Sequence, residues 1–201
     1  MAIPSKAFYK SFMRSPELYL SFNEIMFYFS RAAVGGGAPF GLAEDFGRAA
    51  IWIAASGIDP ADFAMRAIKE LECGNSSLKA NLKEENKEIL LSAESSKKLS
   101  AILAGSALSD LISAQPENPN NIPCIIAEKV DCPFIVCAAL GASNCKGWEI
   151  SWTGKDNCPN SVLICGDGGW MSSWGRNIIP EFNNEVDVKV TFVKNHNVRI
   201  S

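Results

Sequence analysis

Apolar residues recur at helical spacing three times between Asn23 and Lys69, and give way near the C-terminus to the alternation of strands. Asn23 to Val34 reads as a helix with Ile25, Phe29, Ala32 and Ala33 on one side and Ser21 or Asn23 as its cap. Gly35, Gly36 and Gly37 end it and permit a sharp turn. A second helix starts at Pro39 or Phe40, and Leu42, Phe46, Ala49, Ala50 and Ile53 form its apolar stripe. Beside that stripe runs a ridge of small residues, Ala43, Gly47, Ala50 and Ala54. Glycine inside a helix costs roughly 1 kcal/mol relative to alanine, so Gly47 calls for a neighbouring backbone packed close against it. Gly57 suits a left-handed C′ position, with Ile58 folding back on Ile53. Asp59 then caps a third helix, with Pro60 at the first helical position and Ala64, Ala67, Ile68 and Leu71 facing inward.

The remainder is more broken. Cys73 to Glu88 is polar and reads as an exposed excursion, Ile89 to Leu91 as a short strand, and Ser95 to Ile112 as a helix capped by Ser95 or Ser96. Its inward positions are Leu99, Ile102, Leu103 and Ala107. Gln115 to Asn121, "QPENPNN", excludes regular structure. Pro123 to Lys129 reads as a strand, and Asp131 as the cap of a helix with Pro133 in its first turn that runs to Gly141. Trp148 to Thr153 alternates, with Trp148, Ile150 and Trp152 on one face and Glu149, Ser151 and Thr153 on the other. Val162 to Cys165 and Val186 to Lys194 add further strands. The expected fold is α+β, an N-terminal helical unit followed by a small mixed or antiparallel sheet with a covering helix. An arm at 1–22, a mainly helical part at 23–114 and a sheet-containing part at 122–201 form one compact domain, with a break near 115–121.

Composition narrows the function classes. Of 201 residues, 47% are hydrophobic and 20% charged, ordinary for a globular protein with a substantial core. A net charge of −3 and no basic stripe argue against nucleic acid as a partner. No apolar run approaches the roughly 20 residues needed to span a bilayer, so no membrane partner is expected. Lys6, Lys10 and Arg14 before "LYLSF" echo a signal peptide, but Pro16 and Glu17 interrupt it and no small-residue cleavage site follows. Seven cysteines without a CxxC pair are then expected as reduced thiols in the cytoplasm, several buried. With His196 the only histidine, no metal site is expected, and no cofactor either.

The stretch from Phe22 to Ala54 carries a recognisable motif: Phe22-Asn23-Glu24-Ile25, Ser30-Arg31-Ala32-Ala33, Pro39-Phe40-Gly41-Leu42-Ala43-Glu44-Asp45-Phe46-Gly47-Arg48-Ala49 and Ile51-Trp52-Ile53-Ala54. It resembles a bacterial family known as domain of unknown function 3726, specifically over about Asn23 to Gly57. The chain departs from the family pattern at Gly35-Gly36-Gly37, where that pattern has a small-residue pair, and at Phe40, where it has tryptophan. The resemblance implies a bacterial cytoplasmic protein with no assigned activity, and it lends no catalytic residues.

Two places could hold chemistry. Gly35 to Gly41 with Glu44, Asp45 and Arg48 is a glycine loop at a helix N-terminus, where backbone N–H groups could hold an anion. It follows a helix and has no P-loop lysine, so a tight helix connection is favoured. Cys165 to Gly175, "CGDGGWMSSWG", is a glycine-rich loop leaving a strand, with four of the five tryptophans between 148 and 174. Core packing is the favoured reading there, yet Asp167, Gly168, Gly169, Ser172, Ser173 and Trp174 form the best ligand-site candidate. The serines lack the GxSxG elbow and a histidine partner, His196 suits an exposed tail, and Cys145 beside Lys146 only faintly fits a reactive thiol. The expectation is a non-catalytic small-molecule-binding or protein-interaction protein, forming a homo-oligomer. The alternative is an enzyme acting on a small metabolite in a cleft between helices and sheet, with Glu44 and Arg48 facing Asp167, Ser172 and Ser173.

Overall fold

A computed structural model describes residues 19–193 apart from 86, 116–122, 155–156, 158, 167–168 and 174–184. Three helices come first: α1 (Phe22–Gly35), α2 (Phe40–Ala55) and α3 (Ala61–Glu72). Ser21 caps α1 through a capping box with Glu24. At the end of α2, Gly57 takes φ +76°, its N–H donates to Ala54 and the Ile58 N–H to Ile53, the two bonds of a Schellman ending. The Asp59 carboxylate accepts the Ala61 N–H at 2.9 Å and starts α3.

The chain continues through β1 (Ser76–Ser77), β2 (Ala80–Glu85), β3 (Glu88–Ala93), β4 (Lys98–Leu99), α4 (Ala101–Ser113), β5 (Cys124–Val130), α5 (Pro133–Ala142), β6 (Trp148–Thr153), β7 (Pro159–Gly166), β8 (Gly169–Ser173) and β9 (Val186–Phe192). The architecture is α+β. Its mixed sheet has the order β1-β4-β5-β9-β6-β7-β8, with β3 also on β5 and β2 on β3. β3 and β5 are parallel with α4 as the crossover, so strands from both sides of residues 115–121 share the sheet.

Alternation buries Ile125, Ala127, Trp148, Ile150, Trp152, Val162, Ile164, Val188 and Val190. Glu149, Ser151 and Thr153 lie on the opposite face of β6, as their spacing predicts. α5 is the centre of the helical layer. Every residue from Pro133 to Gly141 is buried, and its neighbours are α2, α3, α4 and β7. Glycines set how closely these helices approach. A Cβ at Gly141 would fall inside the Trp52 indole of α2, and one at Gly105 of α4 would lie 2.6 Å from the Ala139 methyl. A Cβ at Gly47 would meet the Ser30 hydroxyl and lie 3.1 Å from the Met26 carbonyl oxygen, so the backbone of α1 is the close neighbour that Gly47 requires.

Four expectations need correction. The helix expected from Ser95 starts at Ala101, because Lys98 and Leu99 instead pair with β1 and β5. The polar excursion at 73–88 contains β1 and most of a hairpin. Asn81 to Glu85 are exposed, and cross-strand pairing with β3 holds a sequence that lacks apolar alternation. Ala32 is exposed, since α1 turns Ile25 and Ala33 inward. Asp131 does not cap α5. Its Oδ1 accepts the Ala101 N–H at 2.9 Å and its Oδ2 the Ser76 hydroxyl at 2.5 Å, so it caps α4 from just past the end of β5.

Candidate functional site

Arg48 and Asp45 lie on α2, where it crosses α4 and α5. The Arg48 Nη1 donates to Asp45 Oδ1 at 2.9 Å, and the Ser106 hydroxyl of α4 donates to Asp45 Oδ2 at 2.8 Å. With Ser109, Asp110 and Ser143 they line a polar crevice of about 190 Å³. The floor is low because Gly105 and Ala139 carry little or no side chain. Glu44, half-buried one position earlier, is not among the residues lining it. The preceding glycine loop is a tight helix connection: Gly37 has φ +100°, and a Cβ on Gly36 would lie 2.8 Å from Ile68 Cγ2 of α3.

Gly169, Ser172 and Ser173 fall on β8, which pairs with β7 at the sheet edge, Ser172 opposite Val162 and Ser173 opposite Ser161. Asp167, Gly168, Trp174 and His196 lie outside the described residues.

Asp131 is the most perturbed acid the structure describes. It is wholly buried, and burial raises its carboxyl from 3.8 to about 6, against the opposing effect of the Ser76 and Ala101 bonds. Glu70 of α3 and Lys98 of β4 are the charged groups facing it, paired with each other at 3.0 Å. No substrate reaches such a group, and its geometry is that of a helix cap. Burial likewise pushes the thiols of Cys132, to about 12, and of Cys137 and Cys145 upward, which removes Cys145 as a nucleophile. Among the described residues, no group of three His, Cys, Asp or Glu side chains is arranged to hold a metal ion. No helix described is long and apolar enough to cross a membrane.

The feature that sequence reasoning missed is the outer face of α1. Phe27 and Tyr28 are 56% and 53% exposed, and their rings meet edge to face at 5.6 Å. The Arg31 guanidinium stands 5.5 Å from the Phe27 ring centroid. Phe22 and Val34 of α1 and Phe40 of α2 are also exposed. The signal was present, because Phe27, Arg31 and Val34 recur at helical spacing on the side away from Ile25 and Ala33.

In overall fold the chain is similar to dehydrogenases of about twice its length. Malate dehydrogenase from Pyrococcus horikoshii OT3 superposes with a TM-score of 0.56 at 12% identity, over 82% of this chain and 52% of that one. Malate dehydrogenase from Entamoeba histolytica gives 0.55 at 10%, over 81% and 50%. A putative malate/lactate dehydrogenase from E. coli gives 0.55 at 10%, over 81% and 51%. The chain thus spans about half the length of these structures, and at such identities the likeness is one of fold alone. No curated protein matches the sequence. Residues 20–118 match the family described as protein of unknown function (DUF3726), the family that the Asn23 to Gly57 motif resembles.

Proposed function

We propose that this chain is a non-catalytic cytoplasmic protein whose work is to bind another protein through the outer face of α1. The observation that carries the reading is the exposure of Phe27 and Tyr28, with the Arg31 guanidinium over the Phe27 ring. Large exposed aromatics grouped on one face mark interaction surfaces, and aromatic residues with arginine supply most binding hot spots. The thiols of Cys73, Cys124, Cys132, Cys137, Cys145 and Cys165 are all free, which favours a reducing compartment. Oxidative footprinting tests the reading: Phe27 and Tyr28 should be protected in cells or concentrated extract relative to the dilute purified protein. Equal labelling in both would sink it.

The enzyme reading has one observation behind it, the polar crevice at Asp45, Arg48, Ser106 and Asp110 on a fold similar to that of malate dehydrogenases. At about 190 Å³ it would take only a small polar metabolite, since ordinary ligand pockets run to roughly 300–1,000 Å³. Turnover of malate or lactate by the purified chain, abolished by Arg48→Ala, would favour this second reading.

A further inference from the structure

The outer face of α1 is complementary to itself. Glu24, Phe27, Tyr28 and Arg31 all point outward, and at 100° per residue they fall within one third of the helix circumference. Charge closes the two ends of the patch with opposite signs. Glu24 stands one turn before the aromatic pair and Arg31 one turn after it. If a second α1 lies antiparallel across a twofold axis passing between Phe27 and Tyr28, Glu24 of one copy faces Arg31 of the other. The symmetry repeats that pair on the far side, and the four rings fill the centre. Parallel packing would instead set Glu24 against Glu24 and Arg31 against Arg31, which opposes it. Glu24 retains capacity for such a pair, since both Ser21 bonds go to its Oε2.

We infer that the occupant of this face is a second copy of the chain, joined through antiparallel α1 helices about a twofold axis at Phe27 and Tyr28. The assignment rests on the interaction reading above and adds the partner to it. An isologous contact of this kind is the commonest route to a closed dimer. A helix of 14 residues is about 21 Å long, so its face alone is smaller than a standard interface and the association is modest, on the order of micromolar.

Charge reversal tests the pairing. By sedimentation equilibrium, Glu24→Arg and Arg31→Glu should each weaken the dimer roughly tenfold, because each repels at two symmetric sites. The double variant should recover to within about threefold of the original. Loss of the two Ser21 bonds to the Glu24 carboxylate is common to Glu24→Arg and to the double variant, so recovery isolates the pairing. The occupant is identified separately, by placing a photoreactive phenylalanine analogue at Tyr28 in the full chain and mapping the cross-linked peptide. A cross-link to α1 of a second copy supports the assignment. A cross-link to residues 1–18 overturns both the dimer and the interaction reading. Capture of a different protein overturns the dimer and leaves the interaction reading standing. A monomer at every concentration with no cross-link overturns both.

Discussion

Helix α5 carries apolar side chains on every side and is enclosed on every side, by α2, α3, α4 and β7. Helix α1 also carries apolar side chains on opposite faces, yet only the one holding Ile25 and Ala33 has a neighbour among the described residues, chiefly α2. A helix apolar all round belongs in an interior. For α5 the described residues supply that interior, whereas for α1 they supply half. The two also differ in charge: α5 has no ionised side chain, while α1 carries Glu24 and Arg31 around its open aromatic pair. Periodicity reports that a face is apolar. The charges beside that face mark it as one that keeps contact with water or with ionic partners.

The sharpest way to break this contrast is to truncate one phenylalanine in each helix. Phe134→Ala in α5 should destabilise the chain by about 4 kcal/mol, since a wholly buried ring leaves a cavity. Next in size, Gly141→Ala should cost about 3 kcal/mol in urea unfolding, because the added methyl lands in the Trp52 indole, 2.7 Å from Cζ2. Gly47→Ala at the α1–α2 crossing should cost less, about 1–2 kcal/mol, as the Met26 thioether can swing aside even though the Met26 carbonyl cannot.

How far the sequence carried this picture follows from where each constraint is local. The ending of α2 at Gly57, the Asp59 cap and the inward face of β6 rest on neighbours within a few residues, and all were legible. The close approach at Gly47 was legible as an anomaly requiring a partner, though not which partner. The start of α4 was not, since β4 exists only through pairing with β1 and β5, and the cap on Ala101 comes from Asp131, 30 residues away. The hairpin of β2 and β3 hides in a run of lysine and glutamate whose strand character comes from its partner strand. Of the candidate site residues, Arg48 lines a crevice with Asp45, a residue read as part of the helix start. The outer face of α1 is not legible from periodicity alone, because the inward stripe by itself satisfies the helix pattern.

Two smaller effects sharpen the contrast further. Asp131 supports the α4 and α5 side of the molecule, and its folded carboxyl titrates at about 6 against an ordinary 3.8. The native state therefore keeps a proton that the unfolded chain has already released. Its contribution is fully present below pH 4 and is lost as pH rises through about 6, by no more than about 3 kcal/mol. Asp131→Asn can keep both the Ala101 and Ser76 bonds, so it should flatten this pH dependence and raise stability at pH 7, as read by unfolding at pH 5 and pH 7. Smallest of all, Phe27→Ser in α1 should change the unfolding free energy of the monomer by less than about 0.5 kcal/mol, as an exposed side chain does.

The most direct test is sedimentation equilibrium of the original chain beside Phe27→Ser, over a concentration range that crosses the micromolar region. The account requires the original to pass from monomer to dimer as concentration rises, while the variant stays monomeric and equally stable. If both remain monomeric throughout, or if both dimerise alike, the outer face of α1 is not where this protein meets its own copy.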